Sequence, residues 1–292
     1  MLYVVFLYIF SYSAVLAVIQ YLRNHDPNAV DIAIQRYSCF ENTTQNPQEY
    51  GALVKYAHKK VCIEAVTKQM LALQQMKLAN PNDLEEADQL FYAKQNARLV
   101  RNAEFYYRAM FEPHINTWNI RDGHMFETLQ NIRDHLRNTL TFEPKIIIWA
   151  HNSHVGDALA TDMGKQGELN IGQLVKQHYK DESFSLGFST YTGTVLAAND
   201  WGDEPECKQV NPGWEDSYEE LFHNTHCKNL VLCIRHNPEL QEIFSSERLQ
   251  RAIGVIYRPQ TERYSHYYNA RLHPQFDALI HLDTTQAIKP LI

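Results

Sequence analysis

The residues best suited to chemistry in this sequence are two histidines three positions apart, His151 and His154, with Asn152 between them and Asp157 a further three positions on. They follow an apolar run, Lys145-Ile-Ile-Ile-Trp-Ala150, whose three consecutive isoleucines lack polar alternation. That is the pattern of a central strand covered on both faces. Ligands of such sheets collect at the carboxyl ends of the strands, so the two imidazoles are expected beside a substrate. Two kinds of chemistry are open to them. As metal ligands they need a third donor, which Asp157 can supply. As acids, bases or hydrogen-bond donors they can polarise a carbonyl and stabilise an oxyanion without a metal. A plain reading, two histidines bonded to nearby carbonyls, stands beside both.

Other polar residues sit where apolar ones are expected. Gln95 and Asn96 interrupt a helical stripe that includes Leu84, Ala87, Phe91, Val100 and Tyr107, so they are either buried and hydrogen-bonded or part of a site. Arg121 falls one turn before Met125 on the stripe continued by Leu129, Ile132 and Leu136. A guanidinium there points inward or into a cleft and needs a partner, for which Asp122 is the nearest carboxylate.

The chain that positions these residues has 292 residues, of which 45% are hydrophobic, with 11 Gly and 11 Pro. It is long enough to bury a full core. A net charge of -7 without a long Lys/Arg run argues against nucleic acid and anionic membrane surfaces. Five cysteines with no Cys-x-x-Cys pair suggest neither a disulfide framework nor a zinc finger, and a reducing, cytoplasmic compartment is the simplest inference. Residues 1–22 carry no charge and are about long enough to cross a bilayer. No basic segment follows Met1, however, and Tyr3, Tyr8, Ser11, Tyr12, Ser13 and Gln20 dilute the run. The favoured alternative is a buried strand over residues 4–10 and a helix capped by Ser11 or Ser13 that runs to His25.

A further helix is expected over residues 28–40. Between residues 50 and 140 the only glycines are Gly51 and Gly123, and the periodicity is helical, which suggests an insertion. Asn80-Pro-Asn-Asp83 reads as a helix start capped by Asn80, and Asn119 as the cap of the next helix, with Asp122 in its first turn. Later segments read as a helix over 171–179 and strands over 184–189, 230–234, 253–257 and 276–281. The first of these strands empties into Tyr191-Thr-Gly-Thr194. The expected fold is α/β: a mostly parallel sheet core with a long antiparallel helical insertion and a small C-terminal α+β lobe. Residues 1–45 and 142–292 belong to the core and its lobe, and residues 46–141 to the insertion, standing as a lid.

Gln95-Asn-Ala97, Asn102-Ala-Glu-Phe-Tyr-Tyr-Arg108, Trp118-Asn-Ile-Arg-Asp-Gly-His-Met125, Trp149-Ala-His-Asn-Ser-His-Val-Gly-Asp157 and Ile253-Gly-Val-Ile-Tyr-Arg-Pro259 form a set specific in order and spacing. Through these blocks the chain resembles the erythromycin esterase family. Segments around Gly187 to Thr194, Ser217 to His223, Gln275 to Asp277 and His281 to Asp283 match as well. The resemblance implies opening of a macrolide lactone ester, an antibiotic-resistance activity, by water that a histidine base activates, with no obligatory metal and no cofactor. It places His151, His154, Arg121 and Asp122 in catalysis, and Asn152, Gln95, Asn96, His124 and Tyr191 on a small-molecule ester.

The family's Gly-Glu-x-x-His-Gly motif is not in this chain. The expectation that follows is a C-terminal portion of an esterase-like protein with impaired activity, completed by a separately encoded N-terminal portion. The alternative is a metal-binding or non-catalytic module built on His151, His154 and Asp157.

Overall fold

The computed structural model describes residues 11–40, 47–58 and 60–289. The strand expected over residues 4–10 lies outside them. The chain divides into two compact units, Met1–Ile147 and Ile148–Ile292.

The first unit is helical: α1 (Ser11–His25), α2 (Val30–Tyr37), α3 (Pro47–Tyr56), α4 (Ile63–Gln75), α5 (Leu84–Ala109) and α6 (Thr117–Thr139). In α1, Ala14, Val18, Tyr21 and Leu22 lie on one face and are buried, which is why an uncharged segment packs as core. Among the described residues no helix is long and apolar enough to cross a membrane. α5 presents Leu90, Ala93, Ala97, Val100, Ala103 and Tyr107 to the same core, and its alanines let α1 pack closely. The Tyr50 hydroxyl accepts from Cys62 N (2.9 Å) and donates to Glu104 (2.7 Å), which Arg108 holds at 2.9 Å.

Two helix starts differ from expectation. α5 is capped by Asp83, which accepts from Glu85 N and Glu86 N, so Asn80 and Pro81 precede the helix. α6 is capped by Asn116, which accepts from Asn119 N, and Asp122 sits a turn deeper and fully buried. In both cases the nearer residue in extended conformation takes the first free N–H groups. Cys39 and Cys62 are paired as a disulfide with Cα atoms 5.8 Å apart, where the sequence suggested no disulfide framework. Partners 23 residues apart become visible only when α2 and α4 are packed.

α5 and α6 are joined by a short turn and bonded along their length. Asn102 bonds His124 (2.8 Å), Arg98 bonds Glu127, and Asp88 bonds His135 (2.6 Å). Descending positions on α5 meet ascending ones on α6, so the two helices are antiparallel.

The second unit contains α7 (Asn152–Val155), α8 (Asp162–Lys165), α9 (Ile171–Tyr179), β1 (Leu186–Ala197), β2 (Glu206–Val210), α10 (Tyr218–His223), β3 (Asn229–Cys233), α11 (Pro238–Ile243), β4 (Arg248–Arg251), α12 (Glu262–Ser265), β5 (Tyr267–Ala270) and β6 (Ala278–Thr285). One sheet has the order β2-β1-β6-β3 and a second pairs β4 with β5. The expected mostly parallel sheet is instead mixed: only β1 and β6 are parallel, and β2 and β3 flank them antiparallel.

The expected strand at residues 145–150 is absent. Residues 143–150 are irregular, Ile147 is 57% exposed and Trp149 68% exposed. An isoleucine run becomes a strand only when a neighbour takes its backbone groups, and among the described residues none does. The expected strand at residues 253–257 reduces to one bridge, Ile256 to Ala198, while the strand itself lies earlier, at Arg248–Arg251.

Two of these packing features have measurable consequences. A Cβ on Gly172, in the first turn of α9, would lie 2.3 Å from the carbonyl oxygen of Val155, whereas one on Gly123 in α6 meets nothing within 4 Å. Gly172→Ala is therefore expected to destabilise by about 1–3 kcal/mol through overpacking. Gly123→Ala is expected to stabilise by about 0.5–1 kcal/mol, and denaturant titration of the two variants reads both signs. The second consequence concerns acid. Burial, seconded by Arg98, pushes the His124 pKa down to about 4. The folded state thus favours neutral His124, and that stability is present above the unfolded value of about 6.5 and lost as pH falls towards 4. Urea midpoints measured from pH 7 to pH 4 should fall more steeply in the wild type than in His124→Gln.

Candidate active site

The segment that carries His151 and His154 is a single helical turn held by side chains. His151 is the N-cap of α7: its Nδ1 accepts from the Ser153 backbone N–H at 3.2 Å and from the Ser153 hydroxyl at 2.8 Å. Its Nε2–H is then left to donate to the carbonyl of Ile253 at 2.9 Å. Neighbouring protein crowds the ring although one edge meets solvent. That burial, with His154 close by, pushes the pKa below the ordinary histidine value against the opposing pull of the Ile253 carbonyl. His151 is therefore a neutral ring with a fixed tautomer.

Asn152 places both ends of its amide on β1, donating to Phe188 O (2.6 Å) and accepting from Phe188 N (3.1 Å). Asn170 donates to Ser153 O (2.8 Å) and Gly156 O (2.6 Å) while its oxygen caps α9 at Gln173 N (2.9 Å). These contacts fix the turn on which His154, partly buried, is mounted. Asp157 accepts from Leu159 N at 3.1 Å and lies 3.4 Å from the Lys176 ammonium.

A metal site on His151, His154 and Asp157 does not fit this arrangement. Both ring nitrogens of His151 are engaged and Asp157 caps the following turn. Among the described residues no group of three or more His, Cys, Asp or Glu side chains is arranged to hold a metal.

Tyr191 lies on β1, fixed by Arg251, whose guanidinium donates to the carbonyls of Thr190 (3.2 Å) and Tyr191 (3.0 Å). Arg251 is itself buried against Glu262 at 2.9 Å. The Tyr191 ring stacks on His223 with centroids 3.6 Å apart and planes 10° apart. His223 Nδ1 is 2.7 Å from Asp283 Oδ1, and His281, wholly buried, bonds Ser189 Oγ at 2.8 Å. These four residues were not singled out as site residues by the sequence. The available signal was the two-residue spacing of His281 and Asp283, which places both on one face of a strand.

Arg121, Asp122, His124, Gln95 and Asn96 all lie in the first unit. The Arg121 guanidinium lies over the Trp118 ring at 4.7 Å and 4.0 Å from the carboxylate of buried Asp122. His124 accepts at Nδ1 from the Asn102 amide. Asn96, partly buried, donates to Tyr92 O of its own helix at 2.8 Å. Gln95 accepts from Arg98 at 3.5 Å and lines a cavity of about 440 Å³ with Lys94, Arg98, Asn131 and His135. A larger open groove of about 680 Å³ beside Thr192 and Thr284 contains none of the expected site residues.

Comparison with known proteins places this arrangement. The sequence model described as erythromycin esterase matches residues 7–285. The putative hydrolase YbfO of Bacillus subtilis (strain 168) is 26% identical over 170 residues, which is 56% of this chain and 34% of YbfO. Three solved structures share the fold, each over 94% of this chain. They are a succinoglycan biosynthesis protein (TM-score 0.69, 19% identity, 62% of its chain), a Bacillus cereus protein (0.75, 17%, 64%) and the erythromycin esterase EreC, a histidine-to-asparagine mutant in its open conformation (0.59, 15%, 66%). The chain thus spans about a third of the length of YbfO and less than two thirds of the first two structures. With a family match that covers nearly the whole sequence, the turn bearing His151 and His154 and the mixed sheet that holds it belong to a member of the erythromycin esterase family.

Proposed function

We propose that this chain is an erythromycin esterase-like hydrolase that cleaves a carboxylic, lactone-type ester of a small molecule with water. The observation that carries the reading is the neutral, tautomerically fixed His151 on a clamped turn, within a chain of that family. An uncharged imidazole N–H is a hydrogen-bond donor suited to a developing oxyanion, and it acts without first losing a proton to solvent. On substrate binding, His151 Nε2–H exchanges the Ile253 carbonyl for the ester oxygen, and His154 transfers a proton on the same turn. Asn152 holds the turn against β1, so its contribution to the substrate is through position.

In the first unit Arg121 and Asp122 supply charge and Gln95, Asn96 and His124 are the candidates for substrate contact, and in the second unit the candidate is Tyr191. A macrolide is the substrate class that the family name suggests, and EreC is an erythromycin esterase by its description.

Removing an oxyanion donor costs about 10²- to 10³-fold in kcat. His151→Ala is therefore expected to lower ester hydrolysis by that factor with little change in KM, and His151→Asn, which keeps an N–H donor, to recover part of it. Hydrolysis unaffected by His151→Ala and His154→Ala would sink the proposal.

A further inference from the structure

We infer that the cavity between α4, α5 and α6 is a second binding site, which takes a small hydroxyl-rich organic anion, a sugar acid or a sugar phosphate. The inference goes beyond the esterase reading and uses residues of the first unit alone.

The cavity measures about 440 Å³, a size suited to a small organic molecule. Gln74, Gln95, Asn131 and Asn138 bring four side-chain amides to it, Lys94 and Arg98 two cations, and Phe91 and His135 two rings. It is set apart from Arg121 and Asp122. Asn131 follows Arg121 by ten positions on α6 and Asn138 by seventeen, about 15 and 25 Å along the helix axis. Of the candidates for ester contact only Gln95 lines it.

Charge decides what kind of molecule fits. Arg98 is answered by Glu127, and His135 by Asp88, which lies 2.6 Å from its Nε2. Lys94 has no carboxylate partner among the described residues, and its ammonium donates to the carbonyl of Met76 at 3.1 Å. Met76 is the C-cap of α4, where the helix end carries about half a negative charge, so the offset is partial. Two of the three ammonium N–H groups remain open. Burial lowers the Lys94 pKa, as expected of a cation that has lost water without gaining a counter-ion. A ligand with one negative charge supplies that counter-ion.

The amides decide the rest. Gln95 Oε1 accepts from Arg98 at 3.5 Å, which leaves its NH₂ group, and Asn131 donates to Glu127 O at 2.7 Å, which leaves its oxygen. Gln74 and Asn138 have no hydrogen-bond partner among the described residues. With His135 Nε2–H donating to Asp88, Nδ1 is an acceptor. Stacking on Phe91, with centroids 4.1 Å and planes 7° apart, holds that ring in place. Donors and acceptors thus stand together around one cation. A hydroxyl both donates and accepts, so a polyol pairs with such a lining where a hydrocarbon chain leaves it unpaired.

The test is isothermal titration calorimetry on the whole 292-residue chain with gluconate, glucose 6-phosphate and neutral glucose. At least one anion is expected to bind at a single site, and the tighter of the two shows whether the site prefers a carboxylate or a phosphate. Glucose should bind about tenfold more weakly or worse, since it lacks the charge. Lys94→Met keeps the aliphatic stem and is expected to weaken the preferred anion by about tenfold or more, with Lys94→Arg recovering part of the loss. Asn131→Leu, of similar volume, should weaken it as well. No binding of either anion up to about 10 mM overturns the inference, as does glucose bound as tightly as both or an unchanged affinity in Lys94→Met. Anion binding abolished by His151→Ala would put the anion at the ester site and overturn it too. Should circular dichroism show that Lys94→Met fails to fold, Asn131→Leu decides, and an unchanged affinity there contradicts the site.

Discussion

The second unit depends on the parallel pairing of β1 with β6 and on the amide of Asn152 that grips the other side of β1 at Phe188. α7 is four residues long, too short to persist by its own hydrogen bonds. Asn152 and Asn170 supply the missing constraint with four bonds to backbone, each contributing about 0.5–1.5 kcal/mol net. His151 adds its own two tethers, so the turn is over-determined. One sheet edge thereby fixes an imidazole that would otherwise rotate freely.

The same pairing organises the other polar group. The register sets Thr190 beside Leu282 and Thr192 beside Thr284, which puts Tyr191 level with Asp283. Arg251 pins the β1 carbonyls from one side, and α10, capped by Ser217, brings His223 under the Tyr191 ring from the other. Arg251 is costly to bury, and its ion pair with Glu262 together with three backbone carbonyls offsets that cost. Loss of this residue would loosen the small β4-β5 sheet and the Tyr191 segment together.

What could be read from sequence alone follows physical range. α1 and α9 were legible because each rests on local periodicity, and α9 spans the residues expected for it. The family was legible because its blocks are contiguous. The run at residues 145–150 misled because strand formation belongs to a pair of segments, and apolar β-branched residues say nothing about whether a neighbour is present. The mixed sheet was missed for a related reason: direction is set by connections, and β6 runs parallel to β1 on one side and antiparallel to β3 on the other. The bond between Cys39 and Cys62 and the contact between His223 and Asp283 join residues 23 and 60 positions apart, and no local pattern encodes either. At the candidate site, the sequence identified His151 and His154 as a pair but could not show that Asp157 is a cap and that both nitrogens of His151 are already committed.

The account sorts the imidazoles by which nitrogen carries the proton, and long-range ¹H–¹⁵N correlation of the histidine rings at pH 8 reads this directly. It predicts opposite tautomers: His151 protonated at Nε2 and bare at Nδ1, and His223, whose Nδ1 meets the Asp283 carboxylate, protonated at Nδ1 and bare at Nε2. Rings that average both tautomers, or a His223 protonated at Nε2, would contradict it.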